Sequence, residues 1–127
     1  MTKIIISLGA NVSQSEHIEQ AKALLQEHFV DVAFTDGLWT KPIGMETKHP
    51  FLNMLCFAST SLSRSEVTGV LKRIELMCGR KPGDKEQGII KMDADLLLYG
   101  TERLHLSDWD RSYIQKLLSQ KNNQALS

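Results

Sequence analysis

The sequence has no excess of charge in either sign: Lys plus Arg number 15, and Asp plus Glu number 15. Without a global field, nothing draws nucleic acid or an anionic membrane to the surface as a whole, so any anion site must be built locally. There is no apolar run of membrane-spanning length. The opening MTKIIISLG is too short and too weakly basic for a secretory leader. Cysteine is scarce. Cys56 and Cys78 sit in apolar contexts without metal-ligand spacing, which reads as reduced core thiols of a cytoplasmic protein rather than a disulfide. The three prolines fall within two stretches, Lys41 to Pro50 and Arg80 to Gly88, and mark both as loops. No internal repeat or low-complexity segment interrupts the rest.

What remains is a chain of 127 residues, 42% hydrophobic and 24% charged, enough for one domain with its own core. Lys3 to Leu8 is β-branched and apolar, and predicts a buried strand. Ser13 and Glu16 have capping-box spacing, and Ile18, Ala21, Leu25 and Phe29 follow at helical intervals, which predicts a helix over Ser13 to His28. Val30 to Trp39 and Phe51 to Thr60 read as strands. Ser63 and Glu66 repeat the capping-box spacing before the apolar face of Val67, Val70, Leu71, Ile74 and Cys78, with Gly79 as the stop. Lys91 to Tyr99 is a fourth strand, and Glu102 to Leu106 is a short extended piece suited to an edge. Asp108 is placed to cap a last helix of about ten residues, before a polar tail. The order β-α-β-β-α-β, with one apolar stripe per helix, predicts an α+β, ferredoxin-like two-layer sandwich. It has a four-stranded antiparallel sheet, helices mainly on one face, and a C-terminal helix.

Four features carry chemistry. Asp93 and Asp95 lie two apart on the fourth strand and so share a face, with Cα atoms roughly 6.5–7 Å apart. Two such carboxylates repel unless a cation sits between them, and magnesium takes one or two carboxylates plus substrate phosphates. The competing reading is an acidic pair on a solvated edge. The loop from Gly79 to Gly88 offers Arg80, Lys81 and Lys85, with Lys91 just beyond. It is either a basic cover for polyphosphate or a solvated turn balanced by Asp84 and Glu86. Glu75 stands at the margin of its helix's apolar stripe, to accept from a ligand or to satisfy a loop N–H. Asn53 interrupts an apolar strand, and its amide needs partners if buried. A heteroaromatic ring or the adjoining loop backbone would supply them.

Five stretches in order, SLGAN, WTKPIG, PFLNMLC, RIELMCGR and DADLLLYG, resemble the 6-hydroxymethyl-7,8-dihydropterin pyrophosphokinases of folate biosynthesis. The family shows a G-[SA]-N turn, a T-x-P-[LIVM]-G loop, a [YF]-L-N strand, an R-[IL]-E-x-x-x-G-R helix end and a D-[LIVM]-D-[LIVM] strand. The resemblance runs from about Ile4 to Leu118. It implies transfer of pyrophosphate from ATP to the pterin, with AMP released. By position it implies that Asp93 and Asp95 bind two magnesium ions and that Arg80 steadies the transferring group, with Lys91 as a further charge. It gives Asn53 the pterin's hydrogen-bonding edge. Gly9, Thr40, Pro42, Ile43, Phe51 and Tyr113 would form the pterin pocket, and Glu75, Arg103, Trp109 and Arg111 would meet the nucleotide. The implied partners are these two small molecules, with no nucleic acid and no membrane.

The chain departs from the family at one place above all. The family's W-G-P-R-T-x-D is here Gln87-Gly88-Ile89-Ile90-Lys91-Met92-Asp93. Gln87 replaces a tryptophan and Ile90 an arginine; likewise Pro82 stands for a second loop arginine and Asp108 for a histidine. The alternative is therefore a weakened or inactive relative that binds a pterin, another small molecule or a protein.

Overall fold

The computed structural model describes residues 1–41 and 49–126, with side chains as far as 120. The elements are β1 (Thr2–Ala10), α1 (Gln14–His28), β2 (Val30–Phe34), β3 (Leu38–Thr40), β4 (Phe51–Thr60), α2 (Arg64–Met77), β5 (Asp93–Tyr99), β6 (Glu102–Arg103), α3 (Leu106–Trp109) and α4 (Ser112–Leu126). The sheet is antiparallel, in the order β2-β4-β1-β5-β6, with β3 also on β4. The protein is α+β, and six strands rather than four occur among the described residues.

The extra strands have local causes. The stretch expected as one strand, Val30 to Trp39, is broken at Thr35–Gly37, and both halves pair with β4. Phe34 lies opposite Cys56 and Leu38 opposite Asn53, four steps on one side against three on the other, which makes a bulge. Thr35 fills the gap: its N–H donates to Leu55 O at 3.0 Å, and its Oγ1 accepts from Leu55 N at 3.0 Å. Gly37 lets the chain pass close to Leu52 there, since a Cβ would stand 2.8 Å from Leu52 Cδ1 and push that side chain aside. At the other edge, Gly100 turns the chain at φ 65° and β6 folds back on the end of β5.

Strand alternation sorts the core into two clusters. Ile4, Ile6 and Leu8 of β1, Met54, Cys56 and Ala58 of β4, and Ala94 and Leu96 of β5 face α1 and α2. The Cys56 thiol is buried there, and burial pushes its pKa up to about 12. On the opposite face, Leu55 and Leu97 pack with Trp109, Ile114 and Leu117. The C-terminal helices therefore form a partial third layer, where a two-layer sandwich was expected. Trp109 fixes it, its Nε1–H donating to Leu104 O at 3.0 Å and Leu97 O at 3.2 Å. Asp108 lies inside α3 rather than capping the last helix.

The two capping-box spacings fare differently. At α2, Ser63 Oγ accepts from Glu66 N at 3.2 Å and Glu66 Oε1 accepts from Ser63 N at 3.0 Å. At α1, Ser13 is left-handed at φ 42° and makes no side-chain cap bond. Ser63→Ala should therefore cost about 1 kcal/mol in urea unfolding, the usual worth of a cap. Ser13→Gly should change stability by no more than about 0.5 kcal/mol, since glycine accepts that backbone freely.

Candidate functional site

The site begins with β5. Ala94 and Leu96 point into the main core, so Asp93 and Asp95 must point to the opposite face. Register sets their neighbours: Gly9 lies opposite both Asp93 and Asn53, and Ser7 lies opposite Asp95. This end of the face lies beyond the cluster that α3 and α4 cover, and it is lined instead by polar groups.

The outer edge of β5 is free of a strand here, so the Ala94 N–H needs a partner. Glu75 supplies it from α2, with Oε2 accepting at 2.9 Å. Gly79, at φ 97°, then turns the chain so that Arg80 N–H donates to Glu75 O at 3.1 Å. The Arg80 guanidinium lies 3.0 Å from Glu75 Oε2 and 2.8 Å from Asp93 Oδ1. Its charge offsets the acids only in part. Burial raises the Asp95 pKa, and Asp93 and Asp108 raise it further, against the pull of His105 and Arg80. Burial also raises Glu75, against the Ala94 N–H and Arg80. The site is short of positive charge.

Two cavities meet at the acidic pair. One, of about 350 Å³, includes Gly9, Thr40, Phe51, Asn53 and Tyr113 in its wall. The other is a cleft of about 970 Å³ beneath α2 and the loop after it, lined by Glu75, Arg80, Lys81 and His105 among others. Asp93 and Asp95 line both. In the smaller cavity, both Asn53 amide hydrogens are used, on Thr40 Oγ1 at 2.7 Å and Leu38 O at 3.2 Å. What Asn53 offers a ligand is thus its Oδ1. Gly9 leaves room for it, since a Cβ there would stand 3.3 Å from that oxygen.

The loop over the site is cross-braced. Asp84 Oδ2 accepts from Lys81 N at 3.0 Å and pairs with Lys91 Nζ at 3.2 Å. These bonds, the backbone N–H first, hold its carboxyl below the usual range. Lys91 Nζ also donates to Gly79 O at 2.9 Å. The far end is pinned by buried Asn11, whose Nδ2 donates to Gly88 O at 2.8 Å and whose Oδ1 accepts from Ile90 N at 2.7 Å.

Several expected residues stand elsewhere than the resemblance implies. Lys91 lines neither cavity, because its ammonium is spent bracing the loop. Arg103 and Trp109 also line neither; the Arg103 guanidinium stacks 4.4 Å from the centroid of the Trp109 ring, and the indole is buried. Arg111 lines the smaller cavity, not the cleft, and is tied to Asp108 Oδ1 at 3.0 Å. Pro42 and Ile43 lie outside the described residues. Sequence reasoning gave no site role to Lys41 or His105, and none to Lys85 beyond its place in the basic loop, yet these residues line one or both cavities. Only Lys85 carried a signal, as part of the basic loop.

Residues 5–122 match the family model for 7,8-dihydro-6-hydroxymethylpterin-pyrophosphokinase. The chain is 30% identical over 122 residues to a folate synthesis bifunctional protein, mitochondrial, of Arabidopsis thaliana, covering 88% of this chain and 22% of that one. The protein of the same name from Pisum sativum is 29% identical over 122 residues, covering 88% of this chain and 24% of its own. A 2-amino-4-hydroxy-6-hydroxymethyldihydropteridine pyrophosphokinase of Aquifex aeolicus is 30% identical over 107 residues, 80% of this chain and 64% of that one. The chain thus spans under a quarter of the plant proteins' length and just under two thirds of the Aquifex protein's.

The crowding of acids has a consequence for stability. Asp95 has a folded-state pKa above its unfolded value, so its ionised form costs stability at neutral pH. That cost fades as pH falls through the folded-state pKa. Asp95→Asn should raise the urea midpoint of the ligand-free protein at neutral pH. The gain should shrink on acidification toward the ordinary aspartate range.

Proposed function

The chain belongs to the 7,8-dihydro-6-hydroxymethylpterin-pyrophosphokinase family, and from that premise we propose that it transfers pyrophosphate from ATP to 6-hydroxymethyl-7,8-dihydropterin in folate biosynthesis. The observation that carries this reading is the pair Asp93 and Asp95 standing between two cavities. In the transfer, the hydroxymethyl oxygen bonds to the β-phosphorus of ATP, the bond from that phosphorus to the α–β bridging oxygen breaks, and AMP leaves. The hydroxyl proton passes to solvent or to a nearby base. Two binding spaces meeting at one acidic wall suit a reaction that is mostly positioning and charge compensation.

Among the described residues no cluster of three or more His, Cys, Asp and Glu groups could hold a metal. Two carboxylates that crowd each other still fit magnesium, which fills its remaining positions with water and phosphate oxygens. Asp93 and Asp95 would hold two such ions, and their charge would offset the triphosphate. Asn53 Oδ1 accepts from the pterin's N–H edge, while Phe51 and Tyr113 present ring surface to its faces. Glu75 and Arg80 line the nucleotide side. Phosphate oxygens compete with the carboxylates for the Arg80 guanidinium.

The strand order, with β3 and β6 as additions, is taken as the ferredoxin-like split βαβ arrangement. Balanced charge and buried free thiols at Cys56 and Cys78 suit two small-molecule substrates in the cytoplasm, without nucleic acid or membrane. No helix of the described residues is long and apolar enough to cross a membrane. A second reading, a relative that binds a pterin without turnover, is favoured by the uncharged Ile90 in the cavity wall shared with the acids and by Gln87 on the loop before it.

An assay for AMP with purified protein, ATP, magnesium and the hydroxymethyl dihydropterin separates the two. The expected result is AMP formed in proportion to pterin consumed, and lost on adding EDTA. Asp95→Asn should lower turnover by at least about 100-fold, the scale for losing one electrostatic partner of a transition state. No AMP at stoichiometric enzyme, with pterin binding intact by calorimetry, would overturn the enzymatic reading in favour of the second.

A further inference from the structure

We propose that Lys85 is the cation that grips the transferring phosphates where the two cavities meet. The inference rests on the pyrophosphokinase reading and adds a residue to it. Three side chains line both cavities: Asp93, Asp95 and Lys85. The first two are acids. Lys85 is therefore the one cation among the described residues that faces the space where a donor in the cleft meets an acceptor in the smaller cavity.

The other cations near the junction are already engaged or stand to one side. Arg80 is shared between Glu75 and Asp93. Lys91 is held by Asp84 and the Gly79 carbonyl, and Arg111 by Asp108. Lys81 and His105 line only the cleft, and Lys41 only the smaller cavity. Ile90, which also lines the smaller cavity, brings no charge. The Lys85 ammonium has no hydrogen bond or ion pair with any described residue.

The loop delivers Lys85 to this position. It opens a single 3-10 turn, Lys85–Gln87, directly after Asp84. Asp84 braces the turn from below through Lys81 N–H and Lys91, and Asn11 clamps the exit at Gly88 and Ile90. A lysine carried on a braced turn is preorganised, so little reorganisation is spent when phosphate arrives. The division of labour between the loop lysines follows: Lys91 builds the turn, and Lys85 uses it.

The test compares wild type, Lys85→Met and Lys85→Arg. Each is assayed for AMP formation and titrated by calorimetry with α,β-methylene-ATP and magnesium, an analogue whose scissile bridge cannot break. Lys85 is exposed, and a thermal melt confirms folding of each variant. Lys85→Met should lower kcat by about 100-fold, leave the KM for pterin unchanged, and weaken the analogue by about tenfold, while Lys85→Arg stays within about threefold of wild type. Wild-type turnover and wild-type analogue affinity in Lys85→Met overturn this inference alone. If the wild type neither binds the analogue nor forms AMP, the pyrophosphokinase reading falls and this inference falls with it. If it binds without turnover, the affinity comparison decides.

Discussion

The site depends on the alternation of one strand. Ala94 and Leu96 are committed to the main core, and that commitment alone puts Asp93 and Asp95 together on the other face. A slip of one residue would bury both acids under α2 and expose the core. The register with β1 guards against it, because the rows through Ile6, Ser7, Leu8 and Gly9 pair residue by residue with Leu96, Asp95, Ala94 and Asp93. Like charges are thus held close by backbone hydrogen bonds that neither carboxylate can break by moving. Their repulsion is expressed as a raised Asp95 pKa and as a demand for cations.

The second constraint is how far the third layer reaches. Leu55, Leu97, Ile114 and Leu117 seal one end of the second sheet face, and the Trp109 indole ties α3 to the carbonyls of Leu97 and Leu104. The seal stops before the rows that contain Asn53, Gly9 and the acids. One sheet face therefore does two jobs: a dry half that holds the C-terminal helices, and a polar half that forms a cavity wall. Covering the whole face would add buried apolar area but would remove the cavity.

How much of this was legible in the sequence varies with distance along the chain. Alternation in DADLLLY and the boundaries of β4 are local, and both follow from residue types a few positions apart. The two capping boxes show where local reading stops. Ser13 and Ser63 have the same spacing to a glutamate, yet only Ser63 caps. At Ser13 the chain leaves β1 through Asn11, which is bonded by side chain and main chain to residues 88–90, and helix entry is made by a left-handed turn instead. A partner 77 to 79 positions away leaves no mark in a window of ten. The same applies to charge. Motif order brought Arg80 and the two acids together as candidates, and they do lie side by side, but which loop lysine braces and which lines both cavities was not legible. For Arg103 and Trp109 the sequence cannot separate a guanidinium stacked on a buried indole, which is the arrangement here, from a ligand-facing pair.

Arg80 links the electrostatics of the acidic pair to its proposed use. It lies against Glu75 and Asp93, and both acids would be worse crowded without it. That contact engages Nη1 of the guanidinium and so holds part of its donor set away from the cleft. A hydrogen bond between charged groups is worth about 1.5–3 kcal/mol net, so holding Arg80 back is a real cost to phosphate binding unless something else satisfies Asp93. Cations reaching the acids with the triphosphate would do so, and the guanidinium would then be free to turn toward the cleft it already lines. On this argument the acidic pair does more than attract charge. Under the proposed reading it would also order events, since the Arg80 Nη1 shared by Glu75 and Asp93 would reach phosphate only after those carboxylates found another partner. Glu75 stays behind as the fixed point, because its other role, accepting from the Ala94 N–H on the free edge of β5, belongs to the fold and does not change with the contents of the site.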